Sequence, residues 1–442
     1  MTDSFIQVLI ALLAGISLIV ILTARLRLHP FFALLIASFA VGLGVQLPVT
    51  EIVTAAKEGF GNIMKSLGFI IVLGTALGVI LEKNGSTGVM ANYILRKIGK
   101  RYPALAMSVI GFIVGLPIFC DSGFIVLSGL NVTLAKKTNT RVIVMAVSMA
   151  TGLYAVHCLI PPHPGAAAAA GLIGVPFGKL IITGILIAVP AMLVGYLYAV
   201  YAGNKIPEQS LVTSEEESRQ PDEQKLPSVI SAFLPVVVPI FLIALKSIIE
   251  TNMPGKWKLL TSLGDPVIAL LTGVLLALFS NSSFVYKQIN GWLQEAAEKA
   301  GGILVIIGAG GAFGAVLAAT HIGQHLGNAL PLASMGILFP FLLTSFLKTA
   351  QGSSTVAIIT AASIIEPLLP VLGLATPEGK LLCVLSMGAG SMMVSHANDA
   401  YFWVIAKFEK IDMPSMLKVY SVATLFMGIT TLLMVYLLSF IL

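Results

Sequence analysis

Apolar runs of roughly 18–25 residues recur along the whole chain, long enough to cross a hydrocarbon core of about 30 Å as helices. They predict full spans near 5–22, 30–47, 64–82, 141–157 and 178–202, and again near 228–250, 265–280, 301–320, 380–396 and 416–441. Before the third span of each set stands a shorter amphipathic piece, EIVTAAKEGF (51–60) and QEAAEKAG (294–301), expected to lie in the membrane interface. Two further units do not read as single spans. Residues 103–118 are apolar, PIFCDSG (117–123) interrupts them, and 124–135 resume; likewise 331–347, KTAQGSS (348–354) and 355–369. Two short helices around a polar tip predict a re-entrant hairpin, because irregular backbone at membrane depth must be covered by protein or line a cavity. The alternative is two ordinary spans joined by a loop.

The pattern is also written twice. PFFALL (30–35) returns as PVIALL (266–271), and GTALGVIL (74–81) as GGAFGAVL (310–317), both offset by 236 residues. SMATG (148–152) returns as SMGAG (386–390), and each copy soon reaches a histidine, His157 or His396. A polar, Pro-punctuated stretch, KIPEQSLVTSEEESRQPDEQKLP (205–227), separates the halves. The expected organisation is a first transmembrane repeat at 1–204, a linker at 205–227 and a second repeat at 228–442. Internal duplication in an apolar chain is the mark of secondary transporters, whose halves share a mid-membrane site.

Composition supports the class. Of 442 residues 57% are hydrophobic and 10% charged, against about 25% charged in soluble domains. The expected fold is an all-α polytopic membrane protein of two inverted-topology repeats, each with about five spans, a re-entrant hairpin and a broken helix. Five crossings per half is an odd number, so the second half must be inverted. Placing Arg25 and Arg27 inside then also puts Arg96, Lys97, Lys100, Arg101, Lys136, Lys137, Arg141 and the linker on the cytoplasmic side, with both termini external. The net charge of +6 is explained by this bias and calls for no nucleic-acid partner. The first run is followed rather than preceded by its basic residues and reads as a retained span, not a signal peptide. Cys120, Cys158 and Cys383 have neither metal-type spacing nor the look of a disulfide framework.

Ionisable groups inside apolar segments cost about 2.5–3.5 kcal/mol each on insertion scales and need a reason. Asp121 and Lys348 fall at the hairpin tips, and Asp399 follows His396. His157 and His163 bracket HCLIPPHPG (157–165), where Pro161, Pro162 and Pro164 cannot continue a helix. Each return helix offers free N–H groups and a dipole that attract an anion. Ser122 and Gly123 in one tip, and Gly352, Ser353, Ser354 and Thr355 in the other, add hydroxyls and close backbone access. With His157, His163, His396 and Asn398 from the breaks and Lys348 as the cation, the expected pocket fits a small hydroxylated carboxylate. Asp121 or Asp399 is the expected proton carrier. Simpler roles stand beside these: helix N-caps for Asp121, Ser353 and Ser354, packing for His157 and His396, and snorkelling for Lys348. Glu82 and Glu366 read as helix-end residues. GGAFG (310–314) reads as a close-packing surface rather than a nucleotide loop, because no strand precedes it.

PIFCDSGF (117–124), HCLIPPHPG (157–165), AQGSSTVA (350–357) and SHANDAYFW (395–403) resemble motifs of the gluconate permease family, nearly end to end. The resemblance implies proton symport of gluconate or a related sugar acid across the bacterial inner membrane, D-serine permeases among the relatives, paired hairpins, and an elevator-type motion suited to a homodimer. One departure bears on specificity. Lys348 stands where the gluconate branch typically has Arg, keeping the charge but not the bidentate fork. The rivals are a sodium-coupled or exchange carrier for a small carboxylate or D-serine, an anion channel, and an intramembrane metal enzyme built on His157, His163 and Cys158. The last lacks an HExxH and a regular helical ligand face. No cofactor or metal is expected, and no enzymatic activity.

Overall fold

The computed structural model describes residues 5–99, 101–207, 226–253, 257–280, 286–321 and 334–442. Most of the expected linker therefore lies outside the described residues, as do residues 331–333 of the expected second hairpin. All regular structure in the described residues is helical.

Eighteen helices carry the argument. The first half contains α1 (Phe5–Val20), α2 (Pro30–Gly44), α3 (Val49–Lys83), α4 (Ser86–Ile94), α5 (Pro103–Gly115), α6 (Cys120–Thr138), α7 (Val142–Leu159), α8 (Pro164–Ile173) and α9 (Phe177–Gly203). The second half contains α10 (Val229–Asn252), α11 (Lys258–Leu263), α12 (Pro266–Phe279), α13 (Tyr286–Ala319), α14 (Leu338–Gln351), α15 (Ser354–Ile365), α16 (Pro377–Met392), α17 (Ala400–Phe408) and α18 (Met413–Ser439). Proline opens several of them (α2, α5, α8, α12 and α16), at the position where its missing N–H costs nothing and its fixed φ suits the helix.

From α12 to α18 the chain repeats the order of long helix, hairpin, broken helix and closing helix seen from α2 to α9, but α4 has no counterpart among the described residues, and α6, with 19 residues, is longer than α15, with 12. The longest helices have 35 and 34 residues, and the last helix of each series has 27. Among the described residues seven segments are long and apolar enough to cross a membrane. One of these, Val142–Ile173, comprises α7, a break and α8. Its most apolar stretch is 94% buried, against 28% for Ile6–Arg25, so α7 and α8 form the centre and α1 the rim.

Two expectations change. The amphipathic pieces at 51–60 and 294–301 are not separate elements; they are early turns of α3 and α13, which continue unbroken into the spans. Good helix formers with no Pro before the apolar run give no reason to stop. The polar tips are also tighter than the sequence pattern suggested. Asp121, Ser122 and Gly123 already belong to the first turn of α6, and Lys348 to the last turn of α14, whose turn is only Gly352 and Ser353.

Helices α5, α14 and α15 have 13, 14 and 12 residues, or roughly 18–21 Å at 1.5 Å per residue, short of a ~30 Å core. The α3–α13 contact is built on glycine: a Cβ on Gly311 would sit 2.6 Å from the Gly59 carbonyl. GGAFG is thus a packing surface. Lys83–Glu295 at 3.0 Å joins the same two helices at a half-exposed edge, and Lys299, on α13 itself, holds Glu295 at 2.8 Å. Glu82 sits in the last turn of α3, and Glu366 begins a short turn after α15, both at helix ends.

Candidate functional site

Two broken helices and two tight hairpins meet at one place. The α7 helix stops at Leu159 because Pro161 and Pro162 cannot supply the next N–H donors, and Pro164 then starts α8. The α16 helix stops at Met392, and the chain runs irregularly through Ser395 and His396 until Asp399 caps α17 by accepting from the Tyr401 N–H at 3.0 Å. Val394 in this break has φ 44°, a left-handed conformation that a β-branched side chain resists.

The hairpins close on these breaks. Asn398 Nδ2 donates to the Thr349 carbonyl at 2.8 Å, and His396 Nε2 lies 3.1 Å from the same oxygen. Tyr154 OH lies 2.7 Å from Ser354 Oγ and donates to the Ser391 carbonyl at 3.0 Å. His157 Nε2 is 3.4 Å from Thr355 Oγ1. His163 Nε2 donates to the carbonyl of Gly115, the last residue of α5, at 2.7 Å. Gly352 closes the second tip at φ 84°, and a Cβ there would overlap the Asn398 carbonyl. Gly352→Ala is accordingly expected to cost at least about 1–3 kcal/mol from backbone strain alone, and to lose transport. Thermal unfolding and uptake measured on the same preparation check this.

The charge at the centre is an ion pair. Lys348 is 0% exposed, and its ammonium lies 2.6 Å from Asp399 Oδ2 while also donating to the Gly352 carbonyl. Ser395 Oγ donates to the same Asp399 oxygen. The Tyr154 ring lies under the ammonium, 5.9 Å from Nζ to centroid. The snorkelling alternative for Lys348 is therefore excluded in this conformation.

Asp121 lies within electrostatic reach of Asp399 and Lys348. Among the described residues its carboxyl receives only the weak Cys120 thiol contact at 3.8 Å. It is accessible although protein surrounds it at longer range, as expected of a group lining a crevice. Ser122 is half-buried next to it, and buried Gly123 lets the first turn of α6 approach Leu153.

The structure thus brings together the groups that the sequence nominated, and gives structural contacts to three of them. Ser353 is the N-cap of α15, accepting from the Val356 N–H at 3.3 Å. Ser354 is 6% exposed and turned toward Tyr154. His163 was expected to touch substrate; at 2% exposure, with Nε2 spent on Gly115, it ties the first break to the first hairpin instead. His157, Thr355, His396 and Asn398 keep accessible surface at the junction.

Three contributors escaped the sequence reading. Tyr154 lies one helical turn before His157, a spacing that puts both on one face. Ser395 opens the SHAND stretch. Gln351 ends α14, and its Nε2 and Oε1 are both buried without a hydrogen-bond partner. The Nδ1 atom of His157 is also unpartnered. Unsatisfied groups of this kind each cost about 1–3 kcal/mol unless something binds them.

Among the described residues no three His, Cys, Asp or Glu side chains converge as a metal site. Cys120, Cys158 and Cys383 are buried and unbonded.

A family model for GntP family permeases matches residues 7–441. The chain belongs to the GntP permease family. It is 34% identical over 443 residues to a gluconate permease of Pseudomonas aeruginosa, covering 98% of this chain and 97% of that one. It is also 32% identical to the D-serine transporters DsdX of Escherichia coli over 446 residues, 99% of each chain. The fold is similar to that of Neisseria gonorrhoeae MtrF, described as one of a class of antimetabolite efflux pumps. There the TM-score is 0.65 at 16% identity, over 88% of this chain and 83% of that one. The resemblance read from the four motifs is the family to which the whole chain belongs. The protein is a multi-pass membrane permease whose hairpin tips and helix breaks share one buried, charged junction.

Proposed function

We propose that this permease is a proton-coupled symporter that carries gluconate or a related small sugar or hydroxy acid into the cell across the bacterial inner membrane. The observation that carries the reading is the charge count at the junction. One cation, Lys348, faces two carboxyls, Asp399 and Asp121, so with both ionised the site holds one negative charge in excess. A carboxylate substrate entering that site meets repulsion unless a proton comes with it. Charge balance thus couples one anion to one proton.

Asp121 is the proton carrier of this scheme. Asp399 is engaged by Lys348, Ser395 and the Tyr401 N–H, whereas Asp121 has no strong partner among the described residues. Lys348 is enclosed in this conformation; its third N–H, beyond those given to Asp399 and Gly352, takes the substrate carboxylate once the junction opens. The N-termini of α6 and α15 add their dipoles. His157, Thr355, His396, Asn398 and Gln351 read the hydroxyl groups, with Ser122, Gly123 and Ser354 shaping the wall.

The remaining organisation belongs to the same proposal. The two series of helices are inverted repeats at 1–204 and 228–442, with a cytoplasmic linker and external termini, and each hairpin re-enters the membrane. The recurrence of a long helix, a hairpin, a broken helix and a 27-residue closing helix supports this. A homodimer in the lipid bilayer would hold one body still while the other moves.

Counterflow exchange of labelled gluconate in proteoliposomes tests the substrate class. Competition by unlabelled sugar acids and glycerate above D-serine supports the reading, and competition by none of the acids overturns it. Gln351→Leu in the same assay is expected to weaken apparent affinity by about 1–3 kcal/mol, roughly 5–150-fold. Its unfolding temperature should rise, because an unsatisfied buried amide is gone. Unchanged affinity would assign Gln351 no part in recognition.

A further inference from the structure

A second buried carboxyl lies away from this junction. Glu409 follows the last residue of α17, outside the seven spans, and is 4% exposed. Its Oε1 accepts from Asn131 Nδ2 at 2.8 Å, while its Oε2 has no partner. Asn131, on α6, is 0% exposed, and its Oδ1 is likewise unpartnered.

The position of this pair is regular. Asn131 stands ten residues beyond Asp121 on α6, and Glu409 ten beyond Asp399 through α17, each step about 15 Å at 1.5 Å per residue. The two helices therefore run together from the junction, with Phe124 packed edge-on against Tyr401, ring centroids 6.1 Å apart, and the acid–amide pair closing the far end.

Among the described residues no ion pair reaches Glu409. Lys136 and Lys137 on α6, Lys407, Lys410 and Asp412 beside it, and Lys418 on α18 are all exposed. Arg96 and Lys97 after α4 are exposed too, and Arg141 ahead of α7 donates to the carbonyls of Gly203, which ends α9, and Ile206. An ionised carboxylate here leaves two buried oxygens, one acid and one amide, without hydrogen. One proton on Oε2 supplies both, because Oε2–H donates to Asn131 Oδ1 while Nδ2–H donates to Oε1, the two-bond pairing of a carboxylic acid with an amide. We propose that Glu409 and Asn131 form a second proton-binding site, which holds α6 and α17 together when occupied and loosens their seam when it ionises. Burial pushes the Glu409 carboxyl up to about 7, with only the Asn131 hydrogen bond opposing it. Protonation is then complete below that range and lost above it.

The site goes beyond the symport reading and holds for any substrate or coupling ion. Infrared difference spectra of the full-length protein in lipid nanodiscs, titrated from about pH 6 to about pH 8, test it. A protonated-carboxyl stretching band is expected in the wild type, disappearing with a midpoint near 7. Glu409→Gln should remove that band, Asp121→Asn should keep it, and Asn131→Asp should raise its midpoint by about one unit or more, as when two carboxyls share a site. The same titrating band in Glu409→Gln, no such band in the wild type, or an unmoved midpoint in Asn131→Asp would overturn the assignment. Loss of gradient-driven uptake with the band intact would bear on the symport reading alone.

Discussion

Lys348→Met is expected to abolish transport and to lower stability by about 3–5 kcal/mol, the usual cost of leaving one member of a buried ion pair behind. The side chain is wholly enclosed, and Asp399 Oδ2 would keep only the Ser395 hydroxyl. The two losses separate in a second variant. Lys348→Met combined with Asp399→Asn removes both charges and keeps an oxygen to cap α17. It should recover most of the stability and none of the transport. Thermal unfolding and exchange activity, measured across the wild type, both single variants and the double, form the cycle that reads this. Recovery of transport in the double variant would reduce Lys348 to a structural counter-ion. Lys348→Arg keeps the charge but needs room for a planar fork in a closed slot, so partial activity with a changed ranking of acids is expected.

Asp121→Asn should have the second large effect, and a selective one. If Asp121 carries the proton, its neutral isostere mimics the loaded state permanently. Exchange of internal for external substrate then continues, while accumulation ceases. One coupled proton sustains about tenfold accumulation per pH unit, since one unit is worth 1.36 kcal/mol. The variant should bring that ratio to about one. Accumulation at the wild-type level would transfer the role to Asp399.

Much of this was legible in the chain because the chemistry is concentrated. In an apolar background Asp121, Lys348 and Asp399 stand out by cost alone, and PPHP marks a helix break that no packing can override. The long apolar runs that contain GTALGVIL and GGAFGAVL were legible as helices, and they stand in helices of 35 and 34 residues. What was not legible lay in the pairing. Nothing in the chain order shows that Lys348 turns inward to Asp399, 51 residues on, rather than outward to an interface. Nor could spacing show that His163 would be claimed by the Gly115 carbonyl, since that contact depends on where α5 ends. Tyr154 was hidden by an apolar run in which a tyrosine draws no notice. The amphipathic pieces misled for a related reason: their periodicity is that of a helix, and periodicity does not report where a helix leaves the interface.

The most direct test of proton-coupled symport is uptake of labelled gluconate into sodium-free proteoliposomes with an acid exterior imposed across the membrane. Accumulation above the external concentration, growing with the pH difference and collapsed by a protonophore, is the predicted result. Saturable uptake that ignores the pH gradient and accumulates only when a sodium gradient is supplied would contradict it.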